Sequence, residues 1–348
     1  MSTSLASTPL RVGIAGLGRL GQRHAQALAF DTRHVQLVAA CSPVAAELDF
    51  ARSELGVERL HADFDAFIAD PAIDAVVLVT PTDLHANQTI AALRAGKHVF
   101  VEKPLALNVA DCERVLAVAQ QMSLTHPQQV AMVGFVRRFD PSYQAAAASV
   151  EAGDIGRPFL VRSQTCDQND PDGFFVRFAP TSGGIFMDCS VHDIDLARWL
   201  LGRPKATRAF ASGTIALHPA LAACGDVDNG LAIVEFEGGA RAVFYASRTM
   251  AHGHETSTEV IGTAGKLVVG ANAALDRVVR SDAHGVRHAV LPDFHARFAE
   301  AFSREIDAFV AACRGEAPLT LTLTDALEAT RIGLAITRSL HSGMPEAV

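Results

Sequence analysis

The 348-residue chain is longer than one hydrophobic core usually supports, so two domains are expected. Apolar residues make up 49% and the formal net charge is −8 with Lys and Arg scattered, which describes a folded globular protein and leaves no basic stripe for nucleic acid or a membrane surface. Six cysteines (Cys41, Cys112, Cys166, Cys189, Cys224, Cys313) stand far apart without a Cys-x-x-Cys pair or a short Cys/His cluster, which excludes the usual zinc spacing and fits reduced thiols in a cytoplasmic protein.

In chain order, residues 1–9 lack a basic start and an apolar signal core and read as a short mobile tail, and no later apolar run reaches membrane-spanning length. The run Leu10-Arg11-Val12-Gly13-Ile14-Ala15 reads as a buried strand, followed by the turn Gly16-Leu17-Gly18-Arg19-Leu20-Gly21 and a helix over 19–30. Strands are expected at 35–41, 75–79, 98–101 and 129–134, with helices over 83–95 and from Asn108 or Asp111 to 122. Strand and helix alternate, which means a parallel, doubly wound sheet.

Past residue 134 the rhythm changes: a helix over 141–152, a strand at 157–162, a Gly/Pro/Asp-rich loop and a helix over 184–201. Short β-rich segments then recur at 231–237, 240–247, 257–261, 266–269 and 277–280, and helices over 293–314 and 324–339 close the chain. The expected fold is therefore an α/β dinucleotide-binding domain over 1–134 followed by an α+β domain over 135–348 with a large open, mostly antiparallel sheet. An open sheet leaves one face to be covered, so a homo-oligomer, dimer or tetramer, is expected to form through it.

Three groups of residues could carry chemistry. In the glycine turn, Gly16 permits the bend, Gly18 admits a pyrophosphate to the backbone and Gly21 lets helix meet strand, while the helix start offers N–H groups to phosphate. Lys103, in Glu102-Lys103-Pro104, stands at the carboxyl end of a parallel strand, where such folds bind ligands, although a solvated lysine fits the same position. Asp188 and His192 stand four apart, on one face of the helix expected there. A carboxylate beside an imidazole makes a general base near neutral pH, and a helix-start acid with a packed histidine is the other reading. No third ligand at short spacing supports a metal.

Taken in order, Gly16-x-Gly18-x-x-Gly21, Val79-Thr80-Pro81-x-x-x-His85, Glu102-Lys103-Pro104-Leu105, Gly134-Phe135-Val136-Arg137-Arg138-Phe139-Asp140-Pro141 and Gly183-Gly184-x-x-x-Asp188-x-x-x-His192-x-x-Asp195 resemble the Gfo/Idh/MocA oxidoreductase family, and within it the inositol dehydrogenases. The resemblance implies a Rossmann domain with an α+β partner, and an enzyme that oxidises a secondary hydroxyl of a cyclitol or related sugar, with His192 as general base, Asp188 beside it and Lys103 at the reacting hydroxyl. It implies a cis bond before Pro104 and a cofactor site of Gly16, Gly18, Arg19, Leu20, Gly21, Ser42, Thr80, Pro81, His85, Glu102 and Lys103. To the substrate pocket it assigns Lys103, Arg137, Asp167, Asp188, His192 and His254, with His252-Gly253-His254 replacing an aromatic Tyr-Gly-Tyr stretch. An aldose 1-dehydrogenase, or a nucleotide or sugar sensor without catalysis, would share the scaffold.

The cofactor is NAD or NADP. An acid about 20 residues past the glycines would bind the ribose hydroxyls of NAD, and this chain has Ser42-Pro43 there. Ser42 carries no charge to repel a 2′-phosphate and Arg19 could lie near one, so NADP is expected to be accepted and even a preference for it is open.

Overall fold

The computed structural model describes residues 8–348, so the tail expected over 1–9 falls outside the described residues except at its last two positions. The first unit alternates β1 (Leu10–Ala15), α1 (Arg19–Gln26), β2 (Val35–Cys41), α2 (Ala45–Leu55), β3 (Arg59–His61), α3 (Phe64–Ile68), β4 (Ala75–Leu78), α4 (Thr82–Arg94), β5 (His98–Glu102), α5 (Val109–Ser123) and β6 (Ala131–Gly134). The six strands pair in parallel in the order β3-β2-β1-β4-β5-β6. Val76, Val77, Leu78, Val99, Phe100 and Val101 are completely buried, the unbroken apolar runs that a sheet covered on both faces requires. Neighbouring connections leave β1 and β4 in opposite directions, and ligands bind at such a switch point, beyond the carboxyl ends of the strands. Asn108 starts α5 by accepting the Asp111 N–H at 2.8 Å.

The second unit contains α6 (Pro141–Glu151), β7 (Pro158–Gln168), α7 (Phe174–Ser182), α8 (Ile185–Asp188), α9 (Val191–Leu200), β8 (Ala206–Thr214), β9 (Asn229–Phe236), β10 (Arg241–Met250), β11 (Glu255–Gly262), β12 (Lys266–Val269), β13 (Ala274–Asp282) and β14 (Gly285–Val290). The chain ends with α10 (Phe294–Cys313), α11 (Leu323–Ser342) and β15 (Glu346–Ala347). Seven strands form one sheet in the order β12-β11-β7-β10-β9-β8-β15, antiparallel except for the parallel pair β7–β10. The segment expected at 277–280 is not part of it: β13 pairs with β14 as a separate hairpin. Helix α9 packs on β7 and β10. Along β9 burial alternates, and its other face leaves Leu231 and Ile233 about half exposed beside Phe210 of β8.

Two further sequence expectations need correction. The single helix over 184–201 is two helices, interrupted at Cys189-Ser190, so Asp188 and His192 do not share one uninterrupted helix. Gly183 and Gly184 take φ of +82° and +86°, and Asp226 accepts the Ile185 N–H at 3.0 Å to start α8. The second domain is also not contiguous over 135–348, because residues 302–327 group with the first unit while 135–301 and 328–348 form the second. Phe309 of α10 lies 5.9 Å from Phe100 and Phe302 lies 5.7 Å from the His24 ring, an apolar attachment that the sequence spacing does not announce. Among the described residues no helix is long and apolar enough to cross a membrane.

Candidate active site

The glycine turn separates structural from functional demand. Gly16 has φ +87° and donates its N–H to the Cys41 carbonyl at 2.9 Å, and a Cβ there would overlap the Val79 carbonyl at the end of β4. A Cβ on Gly21 would overlap the Gly16 carbonyl, so α1 needs a glycine to sit against the turn. Gly18 is different: a Cβ there would meet nothing within 4 Å, and as the N-cap of α1 it brings no side chain to the helix start. Open space in front of backbone N–H groups fits a pyrophosphate. Arg19 is exposed and Leu20 half-buried at the same turn.

The loops after β4 and β5 supply the next residues. Thr80 donates its hydroxyl to Gln88 Oε1 at 2.6 Å, and Pro81 is exposed at the start of α4. His85, assigned to the cofactor by resemblance, is buried with Nδ1 and Nε2 each 2.8 Å from a carbonyl oxygen, those of Pro104 and Thr80. It ties the two loops together, and burial pushes its pKa down against the pull of those carbonyls. The Lys103–Pro104 bond is cis, as the resemblance implies, and Lys103 itself is half-buried.

Glu102, also assigned to the cofactor, turns inward instead. His24 Nε2 donates to its Oε1 at 2.8 Å and the Lys103 N–H donates to its Oε2 at 3.0 Å. Burial pushes this carboxyl up, but the hydrogen bond and charge of His24, with Lys103, bring it below its ordinary value. Glu305 of α10 is completely buried, and burial, with the nearby Glu102 charge, holds its carboxyl well above the usual range. Glu102 is thus a support for the Lys103 backbone, which is why an acid adjoins the lysine.

The second unit organises its polar residues as ion pairs. Asp188, at the end of α8, is bound by the Arg248 guanidinium from the end of β10, and Arg248 also lies over the Phe175 ring, 4.9 Å from its centre. On β7, Asp167 accepts from His254 Nδ1 at 3.0 Å, and Cys189 Sγ lies 3.6 Å from its other oxygen. Burial raises the Asp167 carboxyl, but His254 and the Arg248 charge outweigh it and keep the group below its ordinary value. His192 is half-buried in the first turn of α9, edge-on to Phe135 with centroids 6.1 Å apart.

Two residues assigned to the substrate pocket are tied to neighbouring side chains. His254 is buried with its second nitrogen on Thr256 Oγ1 at 3.0 Å, so its ring orients Asp167. Arg137 is buried and bound to Asp193 at 2.8 Å and to the Thr165 hydroxyl at 2.7 Å. Arg138 pairs in the same way with Asp195, through two hydrogen bonds. The Arg137-Arg138 motif therefore fastens the chain before α6 to α9. Arg248 escaped the sequence reading; its one signal was a charge directly after the β-rich segment ending at Ser247.

A parallel doubly wound sheet and an open glycine turn at a helix start define a Rossmann-type dinucleotide-binding protein. Family models match both parts of the chain: the oxidoreductase family with NAD-binding Rossmann fold over residues 10–135, and the GFO/IDH/MocA C-terminal domain over 143–268. The protein belongs to the Gfo/Idh/MocA oxidoreductase family. It is 38% identical over 337 residues to scyllo-inositol 2-dehydrogenase (NAD(+)) of Bacillus subtilis, spanning 97% of this chain and 95% of that protein. It is 32% identical to myo-inositol 2-dehydrogenase of Thermotoga maritima over 95% of this chain and 96% of the other. The crystal structure of scyllo-inositol dehydrogenase from Lactobacillus casei with bound NAD(H) and scyllo-inositol superimposes with a TM-score of 0.92 at 37% identity, covering 97% of this chain and 99% of that one.

Proposed function

We propose that the protein oxidises one secondary hydroxyl of a cyclitol, myo- or scyllo-inositol, to the ketone with NAD. The observation that carries this reading is the full-length similarity to inositol dehydrogenases in a chain that carries Lys103, Asp188 and His192 where the family resemblance places its catalytic residues. When bound, NAD supplies the hydride acceptor. His192 takes the hydroxyl proton, Lys103 donates a hydrogen bond to the hydroxyl oxygen, and Asp188, fixed by Arg248, supports the positive charge that His192 gains. Asp167, kept ionised and oriented by His254, accepts from further ring hydroxyls.

The exposed apolar row Phe210, Leu231 and Ile233 supports a homo-oligomer formed through the open sheet, and six scattered cysteines with no disulfide among the described residues support a cytoplasmic protein. A spectrophotometric screen of inositols and aldoses with NAD and NADP tests the activity. Reduction of NAD by an inositol is expected; turnover of aldoses alone would assign the protein to an aldose 1-dehydrogenase, and no turnover with any polyol would refute the reading.

A further inference from the structure

We propose that Glu47 selects NAD over NADP: its carboxylate, fixed by Ser42 just beyond the end of β2, replaces the acid that dinucleotide sites usually carry on that strand. The Cys41 carbonyl accepts the Gly16 N–H, which sets Ser42 beside the phosphate turn. Ser42 is buried, accepts the Val44 N–H at 3.1 Å and donates its hydroxyl to Glu47 Oε2 at 2.5 Å. Glu47 itself is half-buried in the first turn of α2, where an anion suits the helix start. The intervening Pro43-Val44-Ala45-Ala46 has no Lys or Arg to neutralise it or to bind a 2′-phosphate. Ser42 therefore does not mark a missing charge. It holds a charge that arrives five residues later, able to accept from ribose hydroxyls and to repel a phosphate in their place.

The inference rests on the cofactor half of the proposed reaction alone, so its test contains no polyol. Dissociation constants of the full chain for NAD and NADP are measured by calorimetry for the native protein, Glu47→Gln and Glu47→Asp. The native protein is expected to bind NAD ~100-fold more tightly than NADP, Glu47→Gln to narrow that ratio ~10-fold or more mainly by gaining NADP affinity, and Glu47→Asp to keep the preference. Equal or tighter binding of NADP by the native protein overturns the proposal. So does an unchanged ratio in Glu47→Gln, including the case in which only the melting temperature falls, since that would reduce Glu47 to a helix cap. A chain that binds NAD selectively yet oxidises no inositol would refute the proposed substrate and leave this inference standing.

Discussion

Around the glycine turn of the first unit, the groups offered to a ligand are backbone N–H groups at an uncapped helix start, with open space where Gly18 lacks a Cβ. At the ends of β7 and β10 in the second unit, charged side chains are held in pairs, Asp167 with His254 and Asp188 with Arg248. The first arrangement suits a cofactor whose phosphates are the same in every turnover. The second suits a proton transfer and the reading of hydroxyl positions, where acid strength and orientation both matter. Backbone sites are fixed by steric rules, whereas side-chain sites depend on partners that must themselves be held.

The sharpest break between the two regions is His192→Ala, which is expected to lower kcat about 100- to 10,000-fold while leaving the dissociation constant for NAD unchanged in calorimetry. Unchanged turnover would remove His192 from the chemistry. Arg248→Met removes the guanidinium that binds Asp188 in a mostly buried site, so urea unfolding should show a loss of about 3 kcal/mol together with reduced kcat/KM for the polyol, again with NAD binding intact. Within the glycine turn, two substitutions should part company. Gly16→Ala is expected to cost about 1–3 kcal/mol of stability because of its positive φ and its contact with the Val79 carbonyl. Gly18→Ala should melt like the native protein but bind NAD roughly tenfold or more weakly, since only the ligand's approach is obstructed.

The smallest effect concerns Glu305. Its carboxyl lies well above the ordinary value of 4.5, so the folded state keeps a proton that the unfolded chain releases as pH rises past that value. Stability from this group is complete at low pH and declines as pH climbs toward the folded pKa, the reverse of the contribution from Asp167, which is lost as pH falls. Unfolding titrations should show that Glu305→Gln gains on the native protein with rising pH; parallel profiles would disprove a raised Glu305.

Sequence reading works best where the determinant is local. Gly16-x-Gly18-x-x-Gly21 and the apolar runs of β1, β4 and β5 were legible because a turn and a doubly covered strand each impose their pattern on neighbouring residues. Helices α2 and α7 were not: Ala45–Leu55 has little amphipathic contrast, and Phe174–Ser182 contains Pro180 among loop-like neighbours. The polar clusters were harder still. Asp188 finds Arg248 60 residues away and Asp167 finds His254 87 residues away, separations that no motif spacing encodes. Ser42 shows the same limit at short range, because its side chain, absent any structure, gives no hint that Glu47 is its partner.

The return of residues 302–327 to the N-terminal sheet makes the chain's modularity unequal to its motif map. A fragment ending at Gly134 would carry every glycine-turn and strand signal yet lack Phe302 and Phe309, leaving the rings of His24 and Phe100 without those neighbours. Glu305 would leave with them, and with it the buried carboxyl that keeps its proton beside the Glu102 charge. Shuffling this cofactor module onto another protein would therefore require two cuts and a graft of α10, so that inheritance of the nucleotide-binding half is tied to inheritance of the chain's far end.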